Sequence, residues 1–202
     1  MIIIEDMCKS FGNQVIFRNF SLTINDGEFV IISGESGKGK TTLLNIIGLL
    51  EPFDSGNVIV DGLSLRNRKI QRKYWMNKVG FIFQNFALIE NKTVAQNLEI
   101  VQKSIHTNCT IDEALNIVGL TSKKNDKVYM LSGGEQQRVA LARLFLKKCD
   151  IVLADEPTGS LDKKNAEIVL SLLLKLNSEG KTILMVTHDE KIKEMGERVI
   201  KL

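Results

Sequence analysis

Glu28-Phe29-Val30-Ile31-Ile32-Ser33 runs straight into Gly34-Glu35-Ser36-Gly37-Lys38-Gly39-Lys40-Thr41. The first six residues are short, β-branched and nearly all apolar, the pattern of a strand buried on both faces. The next eight fit G-x-x-x-x-G-K-[ST], a spacing with a specific physical use. Glycines let backbone N–H groups converge on an anion, and the N-terminus of a following helix adds partial positive charge. Lys40 is then placed to reach the β- and γ-phosphates of a nucleoside triphosphate, and the Thr41 hydroxyl to hold Mg²⁺. For this composition chance supplies only about 0.01 such matches, and this one lies between a predicted strand and a predicted helix. Lys38 stands where a small residue is more usual. It reads as a solvent-facing side chain, with an extra cation near the phosphates as the other reading.

Outward from this stretch, Asn25-Asp26-Gly27 reads as a turn after the apolar alternation Phe20 to Ile24. Downstream, Leu43, Leu44, Ile46, Ile47 and Leu50 recur at helical spacing. They predict a helix over Lys40 to Leu50, ended by Pro52, Asp54 and Gly56. Short strands are expected at Asn57 to Val60 and Val79 to Phe83. From about Gln84 to Lys148 β-branched runs disappear, and helices are expected over Thr93 to Gln102, Thr110 to Val118 and Gly134 to Lys148. Thr110-Ile111-Asp112-Glu113 is a helix start with early acids. Then β/α alternation returns: Ile151 to Ala154, helix Lys163 to Asn177, Thr182 to Val186, a short helix, and Arg198 to Leu202. This order implies an α/β fold, a mostly parallel sheet with helices on both faces and a helical insertion in the middle third.

Two further stretches carry chemistry. Ile151-Val152-Leu153-Ala154-Asp155-Glu156 is four apolar residues followed by two acids. Alone it reads as a buried strand whose end meets water. With a phosphate loop earlier in the chain, Asp155 falls where ligands of open α/β sheets bind and where a carboxylate orients Mg²⁺. Adjacent residues of an extended chain point opposite ways, so Glu156 is free for another task, general base toward a water. Leu131-Ser132-Gly133-Gly134-Glu135-Gln136-Gln137-Arg138 opens an amphipathic helix. Ser132-x-x-Glu135 is a capping box. Two adjacent glycines start a helix poorly, but they allow bare N–H groups to approach an anion. Which anion, the residues alone leave open.

The composition is that of one globular domain of 202 residues, with net charge +3 and 44% hydrophobic residues. No stretch reaches 18 consecutive apolar residues, so no spanning helix is expected, and Met1 to Asp6 predicts no secretory signal. Cys8, Cys109 and Cys149 share no CxxC spacing, which favours a reduced compartment. The charge balance is too mild to argue for nucleic acid. Arg66 to Lys78 holds six basic residues with Tyr74 and Trp75 among them. It reads as the solvated face of a helix whose aromatics tuck against the core. His106 has no partner in sequence and is assigned nothing.

Together these motifs make the chain closely similar, over essentially its whole length, to the nucleotide-binding subunit of ABC transporters. Gly34 to Thr41, with Thr42 behind it, resembles the family's Walker A loop. Leu131 to Gln136 matches its signature hexapeptide letter for letter. Ile151 to Glu156 with Pro157 resembles Walker B plus the catalytic Glu, and Gln84 the Q-loop glutamine. Ser160-Leu161-Asp162 resembles the D-loop, His188 in Val186-Thr187-His188-Asp189 the switch histidine, and Phe11 the aromatic that stacks on adenine; Phe11 alone also reads as core. Departures are Lys38, Gly159 and Phe for Tyr at position 11.

The resemblance implies a P-loop NTPase fold with an N-terminal antiparallel β region and one domain over 1–202. Its core would cover about 1–84 and 149–202, with a helical subdomain over about 85–148. It implies ATP and Mg²⁺ as ligands, the metal held by Thr41, Gln84 and Asp155. Catalysis would fall to Lys40, Glu156, His188 and Gln84. Nucleotide contacts would come from Phe11, Gly34 to Thr42, and Ser132, Gly133, Gly134 and Asp162. Two copies would close head to tail around ATP and drive a separate membrane permease from the cytoplasmic face of the membrane. Thr42 to Gly48 and Phe83 to Val94 are most similar to the macrolide-exporter and lipoprotein-releasing branch. Ala87 to Asn91 is similar to subunits assigned to bacteriocin export. The leading reading is an exporter of a peptide, bacteriocin, lipoprotein or drug. An ATP-driven regulator of a membrane partner, as in division-associated relatives, and a nucleic-acid-linked ABC ATPase are the alternatives.

Overall fold

The computed structural model describes residues 1–101 and 105–202. Two sheets form its frame. The first is antiparallel, with strands β1 (Ile2–Phe11), β2 (Gln14–Ile24), β4 (Ser55–Val60) and β5 (Leu63–Ser64) in the order β2-β1-β4-β5. The second is parallel, with β3 (Phe29–Ser33), β6 (Val79–Ile82), β7 (Ile151–Asp155), β8 (Thr182–Val186) and β9 (Arg198–Lys201) in the order β6-β7-β8-β3-β9. The Asn25-Asp26-Gly27 turn is present, but the strands it joins lie in different sheets.

Why β3 is apolar on both faces follows from its neighbours. Phe29 and Ile31 pack into a core with residues of helices α5 (Gly133–Leu146) and α6 (Lys163–Ser178). Val30 and Ile32 face a second core, shared with Ile2, Ile4 and Met7 of β1 and with Leu43, Leu44, Ile46 and Ile47 of α1 (Lys40–Ile47). A strand covered twice cannot alternate apolar with polar.

The remaining helices are α2 (Arg68–Asn77), α3 (Val94–Leu98), α4 (Ile111–Ile117) and α7 (Glu190–Lys193). Thr93, Thr110 and Ser132 each cap a helix in a complete capping box, with Gln96, Glu113 and Glu135 as reciprocal partners. Gln102, the expected end of the helix from Thr93, lies outside the described residues.

Two expectations are corrected. The helix from Lys40 ends at Ile47 rather than Leu50. Gly48, its C-cap, still has a right-handed backbone (φ -78°), and the chain leaves the helix at Leu49, which turns into the left-handed region (φ 59°); a Cβ on Gly48 would sit 3.0 Å from the Phe81 ring and 3.1 Å from Leu153. In α2, Tyr74 is buried but Trp75 is 47% exposed, its ring covered by the Lys147 ammonium instead of the core. Among the described residues the Tyr74 hydroxyl has no hydrogen-bond partner, and burial pushes its pKa up. Tyr74→Phe should therefore raise stability by about 1 kcal/mol, read as an increased midpoint in urea unfolding. A decreased midpoint would show that the hydroxyl is satisfied.

Candidate functional site

The candidate site assembles at the carboxyl edge of the parallel sheet. β3 delivers the chain into the loop Gly34 to Gly39, and Gly39 (φ 90°) is the N-cap of α1. No other residue fits at position 39. A Cβ would lie 2.5 Å from Ile16 Cγ2 and 2.9 Å from Phe17 Cζ, so β2 presses against the loop from outside. Lys40 is only 5% exposed, and its Nζ donates to the carbonyls of Gly34 (2.9 Å) and Glu35 (2.7 Å). The ammonium is thereby held inside the turn of the loop. Glu35, Ser36, Gly37 and Lys38 are exposed, and the Lys38 ammonium lies 3.9 Å from the Glu35 carboxylate, facing solvent. Thr41 and Thr42 follow in the first turn of α1, whose free amides and partial positive charge face the loop.

Two carboxylates meet this loop from β7. The Thr41 hydroxyl donates to Asp155 Oδ1 at 3.2 Å. Burial raises the Asp155 carboxyl above the usual range, the Thr41 bond pulling it partly back. A desolvated carboxylate beside a hydroxyl is an oxygen-only donor set. It suits Mg²⁺, which takes one or two protein oxygens and fills the rest with phosphate and water. Glu156 is not on extended backbone. β7 ends at Asp155 and Glu156 sits at φ 45°, so its divergence from Asp155 comes from a left-handed residue and not from strand alternation. The turn aims Glu156 at β8's edge, where its Oε1 lies 2.8 Å from His188 Nε2. Gly159 lies under it, close enough that a Cβ would be 3.2 Å from Oε2.

The register of the sheet places Gln84. Ile82 pairs with Ala154, so the chain leaves β6 at the edge where β7 delivers Asp155. Gln84 is exposed there. Phe11, at the end of β1, is 46% exposed and therefore not core; one ring face carries the Lys9 ammonium at 4.5 Å. The segment Ser132 to Gly134 stands apart. Among the described residues no hydrogen bond joins it to Gly34–Thr41. Ser132 N–H instead donates to Glu135 Oε2 at 2.8 Å, and that bond holds the Glu135 carboxyl below its ordinary range.

Gly134 has a packing reason that its sequence did not reveal. A Cβ would fall 2.3 Å from Asn165 Cγ on α6. Asn165 is a residue the motifs missed. Its Oδ1 accepts from Arg138 of α5, its Nδ2 donates to Asp162 Oδ2 at 2.6 Å, and its N–H donates to Asp162 Oδ1 at 2.9 Å. Both Asp162 oxygens are thus engaged within the chain, at the N-cap of α6. Gln137, fully buried in α5, donates to the carbonyl of Pro157, tying that helix to the turn after Glu156. A second glutamine directly after the signature residues is the sequence signal for it.

A phosphate loop facing an Asp–Glu strand end across a parallel sheet is the arrangement of a P-loop nucleotide-binding cassette. The ABC transporter family profile matches residues 17–159, and the chain belongs to that family as an ATP-binding, ATP-hydrolysing cassette. It is 40% identical over 209 residues to the macrolide export ATP-binding/permease protein MacB of Campylobacter jejuni, covering all of this chain and 33% of that protein. The chain thus spans about a third of that ATP-binding/permease relative. It is 40% identical over 222 residues to the ABC transporter ATP-binding protein MJ0796 of Methanocaldococcus jannaschii, covering all of this chain and 93% of that protein. The dimeric structure of the MJ0796 cassette superposes with a TM-score of 0.89 at 38% identity, over all of this chain and 94% of that one. A dimeric post-hydrolysis state of the same cassette, bound to ADP and Pi, superposes at 0.86 with 37% identity over the same shares.

Proposed function

We propose that this chain is the engine of an exporter: two copies close on ATP, hydrolyse it, and so drive a separate integral-membrane permease that they engage from the cytoplasmic face. The observation that carries this reading is the pair of contacts at the end of β7, Asp155 with Thr41 and Glu156 with His188. Neighbouring carboxylates are divided between the metal side and the water side of one site.

In this reading Lys40 and the amides of Gly34 to Thr42 neutralise charge on the β- and γ-phosphates. Thr41, Asp155 and Gln84 would hold Mg²⁺, which when bound would supply positive charge against the triphosphate. Glu156 orients a water and accepts its proton, and His188 keeps that carboxylate in place. Phe11 offers its uncovered ring face to adenine. Ser132, Gly133, Gly134 and Asp162 act on the nucleotide held by the other copy, consistent with the lack, among the described residues, of a hydrogen bond between the signature segment and its own loop. Residues of about 1–84 and 149–202 form the core lobe and those of about 85–148 the helical lobe.

The permease needs a docking place, and a groove of about 650 Å³ between α2, β6 and α5 provides one. Trp75, Phe81, Phe83, Ile100 and Leu144 make it apolar, and Arg72, Arg143 and Lys147 are the charged groups among its described lining residues. An apolar helix carrying acidic residues fits that surface. The cargo would be a peptide, bacteriocin, lipoprotein or drug, and no nucleic acid is required. Affinity purification of the chain from native membranes should recover an integral-membrane permease, and Trp75→Glu should release it. Recovery of ribosomes or DNA in its place would overturn the reading.

A further inference from the structure

The loop that carries Gln84 is bent in an unusual way. Phe86 and Ala87 are consecutive non-glycine residues in the left-handed region, at φ 61° and 47°. Such a pair is strained and persists only when its surroundings hold it. Here the holder is Arg143, ten residues past the start of α5. Its Nη2 donates to the Phe86 carbonyl at 2.6 Å and its Nη1 to the Ala87 carbonyl at 2.8 Å. The guanidinium is partly buried and, among the described residues, pairs with no carboxylate; burial is the sole influence lowering its pKa. Partly burying a charge to serve two backbone oxygens carries a desolvation cost that the geometry it enforces must offset. Upstream on the same helix, Gly133 lies beside the Phe86 ring, which would be 3.7 Å from a Cβ placed there.

We infer that Arg143 is a positioning residue: it clamps the strained Phe86–Ala87 turn onto α5, so that Gln84 and the Ser132–Gly134 segment move as one body. This rests on the proposed roles of Gln84 and of the signature segment. The clamp explains how a residue at the edge of one copy's site is registered at the helix start that meets the other copy's nucleotide. Arg143 touches neither.

The test uses steady-state ATPase kinetics and thermal melts of the full chain. Arg143→Gln should lower kcat about tenfold while KM for ATP stays within about twofold. Arg143→Lys keeps one charged donor and should fall between. The decisive variant adds Ala87→Gly, which removes the left-handed penalty at the clamped turn. In the Arg143→Gln or Arg143→Lys background it should restore kcat about threefold or more without moving the melting temperature in step. Should Arg143→Gln fail to fold, the Arg143→Lys pair decides. An unchanged kcat, or a loss that follows the folded fraction and that Ala87→Gly does not rescue, would overturn the clamp. Gln84→Ala, measured alongside, separates the two ideas. If it lowers kcat while the Arg143 variants do not, only the clamp fails; if turnover survives Gln84→Ala, the reading of Gln84 fails and the clamp with it.

Discussion

Replacing Glu156 by Gln should reduce ATP turnover by about 10²- to 10⁴-fold, the usual worth of a general base, while leaving ATP binding intact. The side chain touches His188 and lies apart from the loop that grips phosphate. Gln keeps the shape, the unbranched Cβ and an oxygen that can still face His188 Nε2, so the left-handed backbone at φ 45° has no new reason to relax. What it loses is the ability to take a proton. With hydrolysis blocked, ATP should hold two copies together, and a dimer should accumulate on gel filtration with Mg·ATP but not with ADP. Retained turnover would remove Glu156 from its role. Lost turnover with lost ATP affinity would show that the substitution had disturbed the phosphate loop instead.

The parts of the fold that could be read from the sequence are those with a single periodicity. β3 and β8 are covered on both faces, so their apolar runs needed no alternation to be recognised. β1 escaped the pattern reading for a physical reason. Its pairing with β2 slips register between Ile4 and Met7, again between Met7 and Lys9, and again before Ser10, with Asp6 at φ 45°. Each bulge resets which residue faces inward, so Ile2, Ile4 and Met7 are buried on no fixed period of two. The end of α1 was obscured because the apolar pattern continues through Leu49 and Leu50 although the backbone turns left-handed at Leu49.

The candidate site divides similarly. Lys40, Thr41 and Asp155 are legible because local chemistry demands them, whereas Gly134 and Arg143 answer to residues far away. Gly134 is small because Asn165 of α6 lies against it, and no local pattern contains that contact. Arg143 did leave a trace: it is a lone charge within Leu141-Ala142-Arg143-Leu144-Phe145-Leu146, a stretch otherwise buried. A cation in such a run needs a polar partner, but only the fold shows that the partner is a backbone turn 56 and 57 residues earlier.

Lys40→Ala should act on binding itself, in contrast to Glu156→Gln. The Lys40 ammonium is nearly buried and held at the mouth of the loop by the carbonyls of Gly34 and Glu35. Charge-assisted hydrogen bonds contribute about 1.5–3 kcal/mol each, so losing the two that Lys40 would offer a triphosphate should weaken ATP affinity by about 10²- to 10³-fold. Titration with a fluorescent ATP analogue measures this directly. The same two carbonyls lose their donor in the ligand-free protein, which should cost about 1 kcal/mol of stability. The titration must therefore be run well below the variant's own melting temperature. Lys40→Arg separates charge from shape. Arg restores a cation, but its planar fork does not fit a pocket closed around a single ammonium, so affinity should stay low. Full recovery with Arg would mean that the loop merely needs positive charge nearby, and an unchanged affinity in Lys40→Ala would leave the phosphate loop without its assigned cation.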